Sequence, residues 1–215
     1  MKITLFGASG KVGQQVIKQA ASRGHSVQAV VRKPMKGTFD NGVSFQRLNN
    51  FEDVDKLQKI CENSDAVISC IGPQRSNPSN PWSEILTPND FMDKFSNALI
   101  QSIITTDKRL VFLSAAGVGD SLEIMNPILK FVFFNSNVGI SYKDLGKMES
   151  NVKNSDLNWT IVRPTTLSSL EMIKPIKHTD HYGLFNNITR ASVAQFLLDC
   201  AESSNFLREC PIIKN

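Results

Sequence analysis

Three glycines at the spacing GxxGxxG, namely Gly7, Gly10 and Gly13, constrain the fold of this 215-residue chain more than any other feature. The apolar run from Ile3 to Phe6 precedes them, and apolar residues at helical spacing follow from Val12 onward. This order predicts a buried strand, a tight turn and a helix. Glycines suit the turn because they permit the bend, a close backbone approach to a pyrophosphate and packing of helix on strand. A phosphate-binding turn is therefore predicted, with a tight turn that holds no ligand as the alternative.

The rest of the chain alternates apolar runs with segments of helical periodicity, which predicts a parallel sheet with helices on both faces. Strands are predicted at 26–31, 43–48, 66–71, 110–113 and 159–162, with an edge strand at 212–213. Helices are predicted at 12–20, 54–60, 91–103, 142–154 and 191–200, with a loop at 73–90 and irregular chain at 117–141. We therefore predict an α/β fold with a Rossmann-type, doubly wound parallel sheet. It forms one domain over residues 1–215, with a small substrate-side lobe from 117–141 and 164–188.

The charge and the residue types exclude several function classes. The net charge is only +4 and the cations are scattered, so a nucleic-acid partner is not expected. No stretch approaches the roughly 20 apolar residues of a membrane span. The four cysteines have no CxxC spacing and the three histidines are dispersed, so no metal site is expected. These features predict a cytoplasmic protein, a monomer or homodimer, with reduced thiols.

Two cations follow the second predicted strand, which ends at Val31. Sites for NAD usually place an acidic residue at this point to hold the ribose 2′-hydroxyl. Arg32 and Lys33 stand there instead, and cations suit the 2′-phosphate of NADP. The sequence favours this interpretation over an ordinary solvated loop.

Five segments recur in the order found in a known group of proteins: Gly7–Gly13, Arg32, Val67–Gly72, Leu110–Ser114 and Asn158–Pro164. In this order they resemble the atypical short-chain dehydrogenase/reductases, and among these the NmrA-like and the biliverdin-IXβ/flavin reductase-like proteins. The resemblance covers nearly the whole chain.

The resemblance implies that the chain binds NADP(H), with NAD(H) as the alternative. Asn50 falls where these proteins often carry an Asp near the adenine, and an amide oxygen could still accept a hydrogen bond there. The implied cofactor-binding residues are Gly7, Ser9, Gly10, Lys11, Val12, Gly13, Arg32, Lys33, Asn50, Cys70, Ile71, Gly72, Ser114, Pro164, Thr165 and Thr166.

The chain departs from standard short-chain dehydrogenases at the catalytic pair. Those enzymes use a Tyr with a Lys four residues on, which lowers the pKa of the tyrosine. Here Tyr142 is followed four residues later by Gly146, and Lys147 is one position off. The catalytic candidates are therefore Ser114 and Tyr142. Packing is the favoured role for Tyr142, and Ser114 is held open between a contact to the substrate or nicotinamide and a structural role.

Other polar residues have ordinary structural roles as their favoured interpretation. Lys147 is expected on a solvated helix face, and Glu149 is expected to pair with Lys153 at i, i+4. His178 and His181 are expected at the surface of a loop, with proton donation by one of them as the alternative.

The run Ile128-Leu129-Lys130-Phe131-Val132-Phe133-Phe134 fits neither a clean strand period nor a clean helix period. Core packing is its favoured role. A roof over a planar ligand and a dimer patch are the alternatives.

Two functions from different classes are consistent with these features. The first is an NADP(H)-dependent oxidoreductase that passes hydride to a small planar acceptor such as a flavin or quinone, which needs little acid catalysis from the protein. The second is a non-catalytic, NmrA-like sensor of NADP(H) that acts through a protein partner. An epimerase-like enzyme is a weaker third choice, because the chain is short and lacks the Tyr–Lys pair.

Overall fold

The computed structural model describes residues 1–35, 42–170 and 172–215. Its main feature is an eight-stranded sheet with the order β3-β2-β1-β4-β5-β6-β10-β8. The strands of this sheet are β1 (Lys2–Phe6), β2 (Ser26–Val31), β3 (Val43–Arg47), β4 (Ala66–Ser69), β5 (Arg109–Leu113), β6 (Asn158–Pro164), β8 (Lys177–His178) and β10 (Ile212–Lys214). Every neighbouring pair is parallel except β10 with β8. The predicted Rossmann-type sheet is confirmed.

A second, two-stranded parallel sheet joins β7 (Thr166–Ser168) to β9 (Asn187–Thr189). β7 lies within the predicted substrate-side segment 164–188, and β9 begins at the end of that segment. No helix of the described residues is long and apolar enough to cross a membrane.

The described residues form six α-helices, five of which pack on the sheet. They are α1 (Lys11–Ser22), α2 (Val54–Cys61), α3 (Phe91–Ile103), α4 (Pro127–Phe134), α5 (Asn137–Lys153) and α6 (Arg190–Glu202). One core cluster joins α1 and α6 to one face of the sheet, and a second joins α2, α3 and α5 to the other face. Burial on both faces explains why the central strands read as continuous apolar runs.

The segment 117–141 contains regular structure, so its prediction as irregular chain was wrong. A 3-10 helix spans Gly119–Leu122, α4 follows, and α5 begins at Asn137 and not at 142. Asn126 caps α4 through its side chain, with Pro127 in the first turn, and Ser136 caps α5. Both are ordinary helix-start signals, and the aromatic residues between them obscured the helical period.

Two further predictions are corrected. The strand at 212–213 is not at an edge, because β10 lies between β6 and β8. Core packing of the 128–134 run was also wrong, since α4 has no buried residue and Phe131 is 71% exposed. Leu129 and Phe133 pack against a small cluster around Met125 and Tyr182, while Ile128, Phe131 and Phe134 face outward.

Candidate cofactor and active site

The carboxyl ends of β1 and β4 form the point where the order of the sheet reverses direction. Ligands of open α/β sheets bind in the crevice at such a point. Gly7 follows β1 with φ +76°, and a Cβ there would lie 2.7 Å from the carbonyl carbon of Cys70 and 2.8 Å from the nitrogen of Ile71. Only glycine therefore allows the two chain segments to approach this closely.

The N-terminus of α1 opens onto the same crevice. Gly10 is the N-cap and supplies no side-chain cap, and the first turn has no acidic residue. The nitrogen of Gly10 donates to the oxygen of Gly7 at 3.0 Å, which fixes the turn. The N–H groups that follow Gly10 thus lack side-chain acceptors among the described residues. Together with the helix dipole they form a site suited to an anion such as a pyrophosphate.

A pocket extends from this turn along the switch point. Its walls come from the glycine turn, the end of β2, the segment after β4 and two aromatic rings. The lining residues are Gly7, Ser9, Gly10, Val30, Val31, Arg32, Phe51, Cys70, Ile71, Gly72, Gln74, Thr87 and Phe91. Asn50 is not among them, and its side-chain oxygen accepts a hydrogen bond from the nitrogen of Glu52 at 3.0 Å. Phe51 and Phe91 supply the apolar wall at this end, and sequence reasoning missed both.

A second pocket adjoins the first beyond β2 and is lined by Ser9, Gln14, Arg32, Lys33, Pro34 and Met35. Arg32 and Lys33 are exposed there, and the Arg32 guanidinium donates to Gln74 Oε1 at 3.3 Å. The two cations are thus placed beside the anion site, where a ribose phosphate would be accessible to both.

A family model described as NAD(P)H-binding matches residues 7–204. The chain belongs to this family. The matched span begins at the first glycine of the turn and extends into the segment after α6. The geometry of the cleft fits the group that the family name implies, because the pocket at Gly7, Ser9 and Gly10 leaves room for a dinucleotide pyrophosphate and the uncapped α1 N-terminus supplies donors for it.

Curated proteins with similar sequences include two from Arabidopsis thaliana. An uncharacterized chloroplastic protein is 29% identical over 181 residues, which cover 78% of this chain and 60% of that protein. The chloroplastic divinyl chlorophyllide a 8-vinyl-reductase is 24% identical over 232 aligned positions, which cover 97% of this chain and 52% of the reductase. This chain therefore spans about half to three fifths of the length of these relatives.

Solved structures share the fold over the full chain. ChuY, an anaerobillin reductase from Escherichia coli O157:H7, superposes with a TM-score of 0.76 at 18% identity and is covered over 97% of its length. A candidate NADH-flavin reductase from Streptococcus pneumoniae gives a TM-score of 0.76 at 20% identity, with 99% of its length covered. At these identities the likeness establishes the fold alone.

Ser114 follows β5 and is buried beneath α5. Its hydroxyl donates to Glu149 Oε1 at 2.7 Å. Arg163, near the end of β6, donates through Nε to Glu149 Oε1 at 3.0 Å and through Nη2 to Oε2 at 2.5 Å. The same Nη2 donates to Asp120 Oδ1 at 2.5 Å, and Lys153 Nζ reaches that oxygen at 2.8 Å. A buried polar network thus links the end of β5 to the surface.

The expected pairing of Glu149 with Lys153 was wrong. Glu149 lies on the buried face of α5 with Met148 and Val152, and its side chain is 2% exposed. From there it faces Arg163, also 2% exposed, and Lys153 pairs instead with Asp120.

Tyr142 lies on α5 close to the same strand ends. Its hydroxyl donates to the carbonyl of Ala116 at 3.2 Å, and its ring packs edge-on against Phe133 at 5.3 Å between centroids. Burial raises the pKa of Tyr142 far above its ordinary value. Lys147 is exposed and contacts Asp93 at 3.5 Å, so it does not lower that pKa. These contacts favour the packing role over proton exchange at Tyr142.

The end of β6 lies beside the segment that follows β5, because the nitrogen of Ala116 donates to the oxygen of Pro164 at 2.9 Å. Thr165 is buried, and its nitrogen donates to the oxygen of Ile213 at 3.1 Å. Thr166 is exposed, and its Oγ1 lies 2.9 Å from the hydroxyl of Tyr182. Of the two threonines, Thr166 is the one with an exposed side chain.

His178 and His181 lie at the surface. His178 packs against Phe206 with centroids 5.0 Å apart, and His181 forms a turn with Thr179. Neither has a carboxylate partner among the described residues. No group of three or more His, Cys, Asp or Glu side chains in the described parts of the chain could hold a metal ion.

Asp120 makes the stability of the fold depend on pH. Its hydrogen bond from Arg163, aided by Lys153, holds the pKa of Asp120 well below its ordinary value. A depressed carboxyl pKa adds stability that is present above about pH 4 and is lost as the pH falls through the folded-state value.

In urea titrations at pH 6 and pH 3, we expect Asp120→Asn to be less stable than the wild type at pH 6, with a smaller difference at pH 3. Asp180→Asn, at an exposed carboxylate without an ion pair among the described residues, should show no such trend; an equal gap at both pH values would contradict the assignment.

Proposed function

We propose that this chain is an NADP(H)-dependent oxidoreductase that transfers hydride to a small planar acceptor such as a flavin or quinone. The observation that carries the proposal is the cleft at the β1/β4 switch point, where the uncapped α1 N-terminus and Arg32 converge. A site of this kind combines donors for a pyrophosphate with a cation for a 2′-phosphate.

Bound NADPH would supply the hydride. The chain's own contribution is binding, orientation and exclusion of water. The turn from Gly7 to Gly13 would hold the pyrophosphate, Arg32 and Lys33 the 2′-phosphate, and Phe51 and Phe91 the adenine end. Ser114 follows β5, on the other side of β4 from the glycine turn, and its nitrogen donates to the oxygen of Val162 in β6.

The acceptor side is apolar. A pocket of ≈ 240 Å³ lies between the 3-10 helix, α4 and α5, and its lining includes Met125, Phe133 and Tyr142. Phe185, which is 91% exposed, stands on the segment between β8 and β9. Apolar walls with few polar groups suit a flat conjugated acceptor, and such an acceptor can take its proton from water. Names of the similar proteins, an anaerobillin reductase, a candidate flavin reductase and a vinyl reductase, support reduction as the reaction class.

The direct test is to mix the protein with NADPH and follow absorbance at the nicotinamide band as flavin or quinone is added. We expect NADPH to bind and to be oxidised only when an acceptor is present. Binding without acceptor-dependent oxidation, across several flavins and quinones, would refute the oxidoreductase and leave the cofactor site intact.

Arg32→Ala should weaken NADPH binding. Charge-assisted hydrogen bonds contribute about 1.5–3 kcal/mol, so the dissociation constant should rise about 10- to 100-fold. NADH lacks the 2′-phosphate, and its affinity should change less than about twofold because no charge-assisted bond is lost. Nicotinamide fluorescence titration measures both, and Lys18→Ala, an exposed cation on α1 outside both pockets, is the matched control. Equal losses for NADPH and NADH would remove Arg32 from the 2′-phosphate site.

A second candidate function is an NADP(H)-binding regulator that acts through a protein partner. One observation favours it: α4 exposes Ile128, Phe131 and Phe134 on one surface, and exposed apolar patches mark interaction sites. It predicts cofactor binding without turnover. Acceptor-dependent NADPH oxidation in the purified protein would decide against it.

A further inference from the structure

We propose that Glu149, held by Arg163, fixes Ser114 as a hydrogen-bond acceptor for the carboxamide N–H of the nicotinamide. This inference rests on the proposed function, since it assigns a hydrogen-bond acceptor to one end of the same cofactor site. Glu149 is a positioning residue in this arrangement, because it acts through Ser114 and does not itself reach the cleft.

The hydrogen of the Ser114 hydroxyl has a fixed acceptor. Both carboxylate oxygens of Glu149 accept N–H groups of Arg163, at 3.0 Å on Oε1 and 2.5 Å on Oε2. A carboxylate engaged in this way can only accept further hydrogen bonds. Ser114 Oγ lies 2.7 Å from Oε1, so its single hydrogen is committed to Glu149.

The lone pairs of Ser114 Oγ remain available to accept a hydrogen bond from a ligand. Among the described residues, Glu149 is the only hydrogen-bond partner of that hydroxyl. A hydroxyl with its hydrogen committed can accept from an N–H but cannot donate to a carbonyl. The backbone of Ser114 is tied to β6, because its nitrogen donates to the oxygen of Val162 at 2.8 Å. The oxygen is therefore held in place at the carboxyl end of β5, beside β4, on the edge of the sheet where ligands of such folds bind.

This arrangement also excludes one chemical role. Ser114 could release its proton to an acceptor only if Glu149 gave up the hydrogen bond, and two hydrogen bonds from Arg163 hold Glu149 in position. Ser114 therefore orients the ring, and the proton that completes the reduction comes from solvent.

The test compares two cofactors that differ in one donor. NADP⁺ carries the carboxamide NH₂, whereas its 3-acetylpyridine analogue has a methyl group in that place and keeps the carbonyl. Binding of each is measured by calorimetry on the full chain, without turnover. In Ser114→Ala we expect NADP⁺ to bind about 5- to 10-fold more weakly, as for one lost hydrogen bond, and the analogue to change by less than about twofold.

Glu149→Gln gives a second, opposite signature. The amide NH₂ can donate to Ser114 Oγ, which frees the hydroxyl hydrogen to point at the ligand. The preference for NADP⁺ over the analogue should then shrink or reverse. Ser114→Ala leaves the Glu149–Arg163 pair whole, so it remains a valid test if Glu149→Gln fails to fold.

Three outcomes separate the proposals. Equal losses of both ligands in Ser114→Ala, or no loss of either, overturn the role of Ser114 as an acceptor. An unchanged preference in a folded Glu149→Gln protein overturns the role of Glu149. Absence of NADP⁺ binding to the wild type would instead refute the proposed function.

Discussion

Gly13→Ala is expected to destabilise the protein by about 2–3 kcal/mol and to weaken cofactor binding, although alanine is the better helix former. A Cβ at this position would lie 2.3 Å from the oxygen of Gly7 and 2.8 Å from the Cα of Ala8. Both neighbours are backbone atoms of the turn, so relief requires the turn itself to move. Urea unfolding measures the first effect, and a fluorescence titration with NADPH measures the second.

Gly146→Ala is the matched control. Gly146 also lies inside a helix, α5, but a Cβ there meets nothing within 4 Å. We expect this change to stabilise the protein by about 0.5–1 kcal/mol, the ordinary helical difference between the two residues. The opposite signs of the two substitutions are the test. If Gly13→Ala stabilised as well, the close packing of α1 on the turn would be wrong.

Arg163→Met is expected to cost about 3–5 kcal/mol, because it leaves the Glu149 carboxylate buried without its cation. That is a large part of the 5–15 kcal/mol typical of a whole domain. The double variant Arg163→Met with Glu149→Met should recover much of the loss, since an apolar pair removes both charges from the interior. Urea unfolding at neutral pH is the measurement.

Arg23→Met serves as the control for charge removal alone. Arg23 pairs with Asp199 and Glu202 at 2.8 Å, but these side chains are 26–47% exposed, and pairs of this kind contribute about 0–1 kcal/mol. A loss in Arg163→Met no larger than in Arg23→Met would show that Glu149 finds water or another partner when the guanidinium is absent.

Much of the fold could be predicted because local pattern and tertiary environment agree. The apolar run before Gly7 and the helical period after it correspond to β1 and α1, and the predicted order of alternating strands and helices is confirmed for the central sheet. Every central strand is buried on both faces, so it leaves a continuous apolar run in the sequence. The glycine turn was predictable for a different reason, because backbone conformation there excludes other residues.

The buried network could not be found from local pattern, because its members lie far apart in the chain. The sequence signal for this network is the position of each charged residue relative to the buried residues of its own strand or helix. Arg163 is two residues beyond Ile161 in β6, and therefore points to the same buried face of the sheet. Glu149 lies four residues after Leu145, on the buried face of α5. Two opposite charges at core-facing positions predict a pair once α5 is packed on β6, but only the fold supplies that packing.

The prediction that residues 128–134 pack in the core was wrong because local pattern and tertiary environment disagree in α4. Its apolar residues are real surface residues, with Phe131 and Phe134 both more than half exposed. Sequence reasoning assigned them to the core because burial is the usual position of apolar side chains. The apolar pattern alone does not show whether such residues are buried within the chain or exposed at its surface.

The loop over residues 73–90 connects the two ends of the proposed site. Gln74 and Thr87 line the pocket at the adenosine end, while Trp82 donates to the oxygen of Asn135 at 2.9 Å between α4 and α5. Asn137 returns two hydrogen bonds to the loop, at the oxygens of Trp82 and Ser83. Under the proposed function, contacts between this loop and the adenosine half of the cofactor would therefore bear on the position of the helices that line the proposed acceptor pocket. A cofactor fragment without its adenosine would carry the reactive ring but would make no contact with this loop. Under the proposed function, the adenosine half, which is the part farthest from the hydride, would therefore contribute to the rate of hydride transfer.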